Sequence, residues 1–345
     1  MTISLLPLAS LGDIYGYRIV YLLGLATFTV GSFACGFADS LPVLIVFRVI
    51  QAAVAAGLLS FASWHWLFWF NVPIGILGFV LAWYAAPRNP PAGHAFDKPS
   101  AVLNALTFGL LLLGFDGLGH GARPVVIAAE LAAGAAYFFV RRQKGLSAPM
   151  LPVDLFLLPA FALSVATPVC SYAARTIARI SLPFYFQLAG GTAQSTVGLM
   201  ITPWPAVIMI IAPISGRLSD RYPAGLLCGA GLAVLTAGLL LMLNVAADAG
   251  LADVAWRMAI CGIGFGFFQS PNVRALVSAA PRDRSGVASG MMSTARLTGQ
   301  TIGGVTVAMV FGFTHGDIVS GVHIVLMTAA AFSAVACVLS FLRLR

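Results

Sequence analysis

Apolar stretches of about 20 residues recur along almost the whole chain, each long enough to cross the hydrocarbon core of a bilayer. They lie near 19–37, 41–61, 66–86, 100–119, 123–140, 160–187, 195–214, 224–245, 255–278, 286–313 and 318–341. Residues 1–11 are apolar but too short to cross, and read as the end of a helix. Few folds can use such a pattern. Inside lipid every backbone N–H and C=O must be satisfied within the protein, which restricts spanning segments of this length to α-helices. The expected fold is therefore all-α, a polytopic membrane protein of about eleven transmembrane helices. Composition agrees. Of 345 residues 60% are hydrophobic and 9% charged, with mean hydropathy +0.96, whereas soluble chains carry about 25% charged residues. A chain this size could not clothe a soluble surface with so few charges. The N-terminus lacks a basic n-region and an A-x-A site, so no cleavable signal peptide is expected.

The formal net charge of +8 would suggest nucleic acid in a soluble protein. Here the surplus is expected in cytoplasmic loops, where Lys and Arg fix helix orientation. Arg141, Arg142 and Lys144 share one loop, Arg217 and Arg221 another, and Arg282 and Arg284 a third, while Arg343 and Arg345 close the chain. Each group lies an even number of crossings from the others, so all can be cytoplasmic together, with the C-terminus. The opposite loops hold Asp248, Asp253 and Asp317. Residues 87–99, rich in Pro, then form a cytoplasmic linker. Counted from a cytoplasmic Asp13–Arg18, however, the first spans place 87–99 outside. One crossing is missing between about residues 48 and 66.

Chemistry of other kinds finds no support. Cys35, Cys170, Cys228, Cys261 and Cys337 are far apart in apolar stretches, with neither metal spacing nor a disulfide framework. No HExxH, Walker loop, G-x-S-x-G or paired catalytic carboxylates occur, which argues against an enzyme or an ATP-driven pump. No filter-like loop suggests a channel, and no cofactor is implied.

Ionisable groups inside the spans are the functional candidates, since each costs roughly 2.5–3.5 kcal/mol at a helix centre on insertion scales. Arg48 lies within its span. Arg175 and Arg179 are four apart and share a helix face. They could hold an anionic substrate or pair with acids; the structural alternative is snorkelling. Asp116 and His120 are likewise four apart near a helix end, where a proton relay competes with simple wetting. Glu130, the only glutamate, and Arg296 both sit mid-span, and Arg296 is expected to pair with an acid. Arg257 and Arg274 lie near span ends and are expected to snorkel. The pairs Gly225/Gly229, Gly286/Gly290 and Gly299/Gly303 allow close helix contact.

Residues 216–222, GRLSDRY, join two spans, with Gly216, Arg217, Asp220 and Arg221 as their marked positions. Asp220 is placed to cap the following helix or to pair with its arginine neighbours. A weaker copy, GDIYGYR, holds Asp13, Gly16 and Arg18, which suggests an internal repeat. This loop pattern resembles the signature of the major facilitator superfamily. FRVIQ, with Arg48 and Gln51, is similar to that family's motif on the fourth helix. SWHWLFWFNVPIG (63–75), FQSPN (268–272) and SGVASGMMSTARLTGQTIGG (285–304) resemble segments of its fourteen-helix drug/proton antiporters.

The resemblance implies a proton-coupled exporter of drugs or other small amphipathic molecules in the inner membrane, driven by the proton gradient and working by alternating access. It implies a coupling role for Arg48 and gating roles for the two loops. It implies three parts: 1–86 as an incomplete N-terminal bundle, 87–150 as a linker with two additional helices, and 151–345 as a six-helix C-terminal bundle. The chain also departs from the family pattern. Nothing corresponds to the first helix, the Gly-Pro motif of the fifth is absent, and span 41–61 reads as a fusion across a deletion. Ile14 and Tyr17 replace basic residues in the first loop, and Pro223 replaces a glycine after the second. The alternative reading is a truncated, transport-inactive remnant. The expected partners are the lipid bilayer and a small-molecule substrate; a membrane-fusion partner protein is left open.

Overall fold

The computed structural model describes residue 15 and residues 17–35, 66–85, 97–116, 122–143, 155–279, 285–314 and 317–344. Among these there are helices and turns but no strand. Chain contacts divide the molecule into two compact units, Leu8–Phe96 and Asp97–Arg345 with Met1–Pro7. Asp13, Gly16, span 41–61 with Arg48 and Gln51, and the linker 87–96 lie outside the described residues. So do Arg282, Arg284 and His120.

In the first unit, α1 (Tyr17–Cys35) packs on α2 (Trp66–Ala85). Arg18 donates to the Trp83 carbonyl and lies 5.3 Å from the Trp83 ring centroid. The guanidinium thus meets both a dipole and a π-face.

The second unit begins with a hairpin of α3 (Lys98–Asp116) and α4 (Ala122–Gln143). Asp97 caps α3, accepting from Ser100 Oγ at 2.5 Å. Arg142, in the last turn of α4, donates to both Asp97 oxygens at 3.2 and 3.0 Å, and Gln143 Nε2 donates to Ser100 Oγ at 2.7 Å. Burial pushes the Asp97 carboxyl up, but hydrogen bonds from Arg142 and Ser100 outweigh it and hold the group below the usual carboxylate range.

Six spans follow. α5 (Pro159–Phe184) opens with Pro at its first turn, where the missing N–H costs nothing, and runs on into a π turn over Tyr185–Ala189. The Tyr185 hydroxyl there donates to the Val245 carbonyl at 3.0 Å. α6 (Gln194–Leu218) is broken at Thr202, because Pro203 and Pro205 cannot donate to the helix ladder. α7 (Ala224–Met242), α8 (Leu251–Ala279), α9 (Ser285–Phe313) and α10 (Ile318–Leu342) complete the bundle, and Asp317 caps α10. These bounds fall within a few residues of the apolar stretches read from the sequence.

Lipid supplies no hydrophobic drive between helices, so small residues and hydroxyls hold them together. Ser340 Oγ donates to the Gly225 carbonyl at 3.0 Å, and Cys337 Sγ to that of Gly229 at 3.2 Å, joining α7 to α10. α9 lies against α5 through Gly299 and Gly303. A Cβ at Gly299 would sit 2.3 Å from the Val169 carbonyl oxygen, and one at Gly303 would sit 2.6 Å from that of Ala173. Both numbers rise together, so the two helices run parallel. The buried centre holds Phe161, Phe186, Phe265 and Phe268. Among the described residues, four helices are long and apolar enough to cross a membrane by length and composition alone: α6, α7, α8 and α10. The two bundle helices left out, α5 and α9, have 26 and 29 residues and so the length; they lack the apolarity.

Candidate substrate path

The less apolar pair, α5 and α9, carries the mid-span arginines. Continuous helix runs from Pro159 to Ala189, so Arg175 is roughly 20 Å along the axis from either end. A half-core of about 15 Å puts it near the bilayer midplane, beyond the reach of snorkelling. Its guanidinium carbon is 4.7 Å from the centroid of the Phe265 ring of α8, and Tyr172, one turn earlier, meets the same ring edge-on at 5.2 Å. Arg179 and Arg296 are exposed on the bundle. Their charges both act on Arg175, and Arg175 and Arg296 both act on Tyr172. Arg296 falls three residues before Gly299, on the face of α9 that touches α5.

Three arginines pointing into lipid would cost about 8–10 kcal/mol on insertion scales, as much as a whole domain's stability. Lipid is therefore an unfavourable neighbour for the face that carries them. Among the described residues none of the three makes a hydrogen bond or an ion pair, and the buried Nε of Arg175 has no partner. The acid partner expected for Arg296 is absent from the described residues. The reason is visible in the sequence: within 155–345 the acids are Asp220, Asp248, Asp253, Asp283 and Asp317, none of them in the middle of an apolar stretch.

The other candidates separate. Glu130 is exposed on α4 and has no partner among the described residues. Asp116 ends α3, and Asp116 and Glu130 are in different helices of the hairpin. Asp220 pairs neither with Arg217 nor with Arg221. Its partner is Arg274 of α8, which also donates to Ser219 Oγ at 3.3 Å. Nor does Asp220 cap α7, whose N-cap is Pro223 with no side-chain bond. Arg217 and Arg221 are exposed and unpaired among the described residues. Arg274 thus does not simply snorkel, and neither does Arg257, which forks onto Asp253 at 3.1 Å and donates to the Leu241 carbonyl. Gly216 is not forced by packing, since a Cβ there would meet only Ser270 Cβ at an ordinary 3.8 Å.

Two features escape sequence reasoning. Phe265, under the Arg175 guanidinium, is one of many phenylalanines in apolar runs, and nothing local marks it. Arg343 is not a free loop cation. It donates to Asn272 Oδ1 at 2.7 Å and to the Leu163 carbonyl at 3.0 Å, tying the end of α10 to α8 and α5.

Comparison with known proteins gives this arrangement its class. The family model for the Major Facilitator Superfamily matches residues 52–304. The Escherichia coli (strain K12) transporter YebQ is 40% identical over 390 residues, covering 100% of this chain and 85% of YebQ. The multidrug resistance protein Stp of Mycobacterium tuberculosis (strain CDC 1551 / Oshkosh) is 30% identical over 351 residues, covering 88% of this chain and 65% of Stp. In fold, the nucleoside transporter NupG superposes with a TM-score of 0.56 at 13% identity, over 100% of this chain and 90% of NupG. The chain belongs to the Major Facilitator Superfamily. It is an all-α, multi-pass membrane protein with the fold of transporters.

Proposed function

We propose that this chain is a proton-coupled exporter of small amphipathic molecules, drugs among them, seated in the inner membrane with its C-terminus cytoplasmic. The observation that carries the reading is the arginine-bearing face formed by α5 and α9, which has no acid partner among the described residues. An aqueous wall at the midplane of a helix bundle has its use as one side of a translocation path. Transport would follow from helix bundles rocking about a central site, with 1–86 and 151–345 as the two bundles and 87–150 contributing two further helices. Loops 12–18 and 216–222 would set the balance of states through Asp13, Gly16, Arg18, Gly216, Arg217, Asp220 and Arg221. Proton coupling would involve Arg48 and Gln51, by resemblance, with the exchanged proton carried by Glu130 or Asp116, the carboxyls within or bounding the spans. Export of drugs is supported by the name and 30% identity of Stp.

A second reading, a transport-inactive remnant, is favoured by one observation. The alignment with YebQ runs over 390 positions against 345 residues here, so YebQ carries segments that this chain lacks. Flux into everted vesicles decides between the two. Saturable uptake of ethidium or a similar amphipathic dye, abolished by an uncoupler, is the expected result. Well-inserted protein that moves no compound of a broad amphipathic panel would establish the remnant.

A further inference from the structure

Among the described residues no acid pairs with a mid-span arginine. Arg175, Arg179 and Arg296 lie well inside their helices, and Arg48 falls within the sequence-read span 41–61. The chain has eleven acids, and they can be placed one by one. The sequence-read spans 19–37, 41–61 and 66–86 contain none, and Asp13 and Asp39 lie outside the described residues. Asp97 is spoken for by Arg142 and Ser100, Asp220 by Arg274, Asp253 by Arg257, and Asp317 by its own helix end. Asp248 is in a turn, and Asp154 and Asp283 lie outside the described residues. Asp116 ends its helix. Glu130 alone is mid-span, and it is exposed on α4.

An uncompensated guanidinium near the midplane is costly even in a wet crevice, and the buried Nε of Arg175 goes unsatisfied. The arrangement around it is nonetheless built. Phe265, fully buried, holds the guanidinium face at 4.7 Å, and Tyr172 braces that ring from its edge. Close packing at Gly299 and Gly303 brings α9, and with it Arg296, against the Arg175 helix. A face that holds three cations together against their repulsion is complementary to an anion, whose arrival replaces the missing carboxylates and donates nothing that needs a further partner. A planar guanidinium held over a ring face also favours flat, delocalised acceptors.

We infer that the α5–α8–α9 face is a binding site for organic anions, aromatic carboxylates or sulfonates, with Arg175 and Arg296 as the anion-holding groups and Arg179 as the cation nearer the mouth. This deepens, and rests on, the reading of that face as the substrate path. It differs from what the word drug suggests, because a lipophilic cation would be repelled here.

Equilibrium binding to the full chain in nanodiscs tests it, with two xanthene dyes of opposite charge, fluorescein and rhodamine 6G, each corrected for empty nanodiscs. Fluorescein is expected to bind saturably, to be displaced by benzoate and not by tetraphenylphosphonium, and to lose about tenfold in affinity in Arg175→Gln and again in Arg296→Gln. Arg175→Lys, which keeps charge but not the fork, is expected to fall between. Should the half-buried Arg175→Gln not fold, the exposed Arg296→Gln decides alone. Tighter binding of rhodamine 6G, no saturable fluorescein binding, or native fluorescein affinity in the folded variants would overturn the inference. Dye efflux without a fluorescein site would retain the exporter and remove the anion site. A fluorescein site lost in Arg296→Gln, with no efflux of any compound, would retain the site and remove the exporter.

Discussion

Neighbouring glycines of α9 should respond in opposite directions to one methyl group. At Gly303 an added Cβ would lie 2.6 Å from the Ala173 carbonyl oxygen and 3.0 Å from Thr176 Cβ. Ordinary contact begins near 3.4 Å, so α9 must back away from α5 by several tenths of an ångström, against backbone that cannot rotate aside. Overpacking of this kind costs about 1–3 kcal/mol, only partly offset by the roughly 0.5–1 kcal/mol that Ala gains over Gly in a helix. One residue on, at Gly304, the nearest atom is Ile180 Cδ1 at 3.9 Å, so Gly304→Ala keeps the helix gain and makes no clash. With about 2–4 °C per kcal/mol for a domain of this size, Gly303→Ala should melt several degrees lower than the native protein, and Gly304→Ala at or slightly above it. Detergent-solubilised variants heated in steps and assayed by size-exclusion chromatography give the comparison. If Gly303→Ala proved as stable as Gly304→Ala, α5 and α9 would not be in close contact there, and the juxtaposition of Arg296 with Arg175 would fall with it.

Other expectations are more local. Arg343→Met keeps the aliphatic stem but leaves Asn272 Oδ1 without its donor and the Leu163 carbonyl with Thr167 Oγ1 alone in place of two side-chain donors; a loss of about 1–2 kcal/mol is expected by detergent unfolding, and a native-like midpoint would show that the clamp contributes nothing. The Asp97 carboxyl is held below its ordinary range, so its contribution is present above the unfolded value and disappears only as pH falls through the lowered folded value. Protease resistance of the 97–143 hairpin should therefore be unchanged from pH 7 to pH 5, with loss setting in below about pH 4; loss already at pH 5 would contradict the assignment. Arg274 and Asp220 have side chains 55% and 62% exposed, so Arg274→Ala should move the unfolding midpoint by less than about 1 kcal/mol. A larger drop would mean that the pair is more than a surface contact.

The helices were legible because lipid imposes one period and one length on every span, and the apolar runs reach their ends where charges and prolines do. Arg175, Arg179 and Arg296 stand out in sequence for the same reason, since charge is rare in such runs. Their surroundings were not legible. Whether a mid-span arginine finds an acid depends on which helices become neighbours, and α9 settles against α5 through carbonyl–glycine contacts that pattern alone does not pair. Loop residues misled in another way. Asp220 has arginines on both sides, yet the helix end at Leu218 turns it toward Arg274, 54 residues on. Arg343 looks like a terminal cation and is instead turned back into the bundle. Span 41–61, read from the sequence as a fusion, lies outside the described residues, and the number of crossings depends on it.

Water at the midplane face is what the whole account requires, and thiol accessibility measures it. With the five native cysteines replaced, single cysteines at Arg179, at Arg296 and at Met327, an exposed apolar position mid-way along α10, would be treated in intact membranes with a small cationic thiosulfonate that reacts only in water. Reaction at 179 and 296 much faster than at 327 is the predicted result. Rates at all three as slow as one another would place the arginine face against lipid, and no substrate path could then run along it.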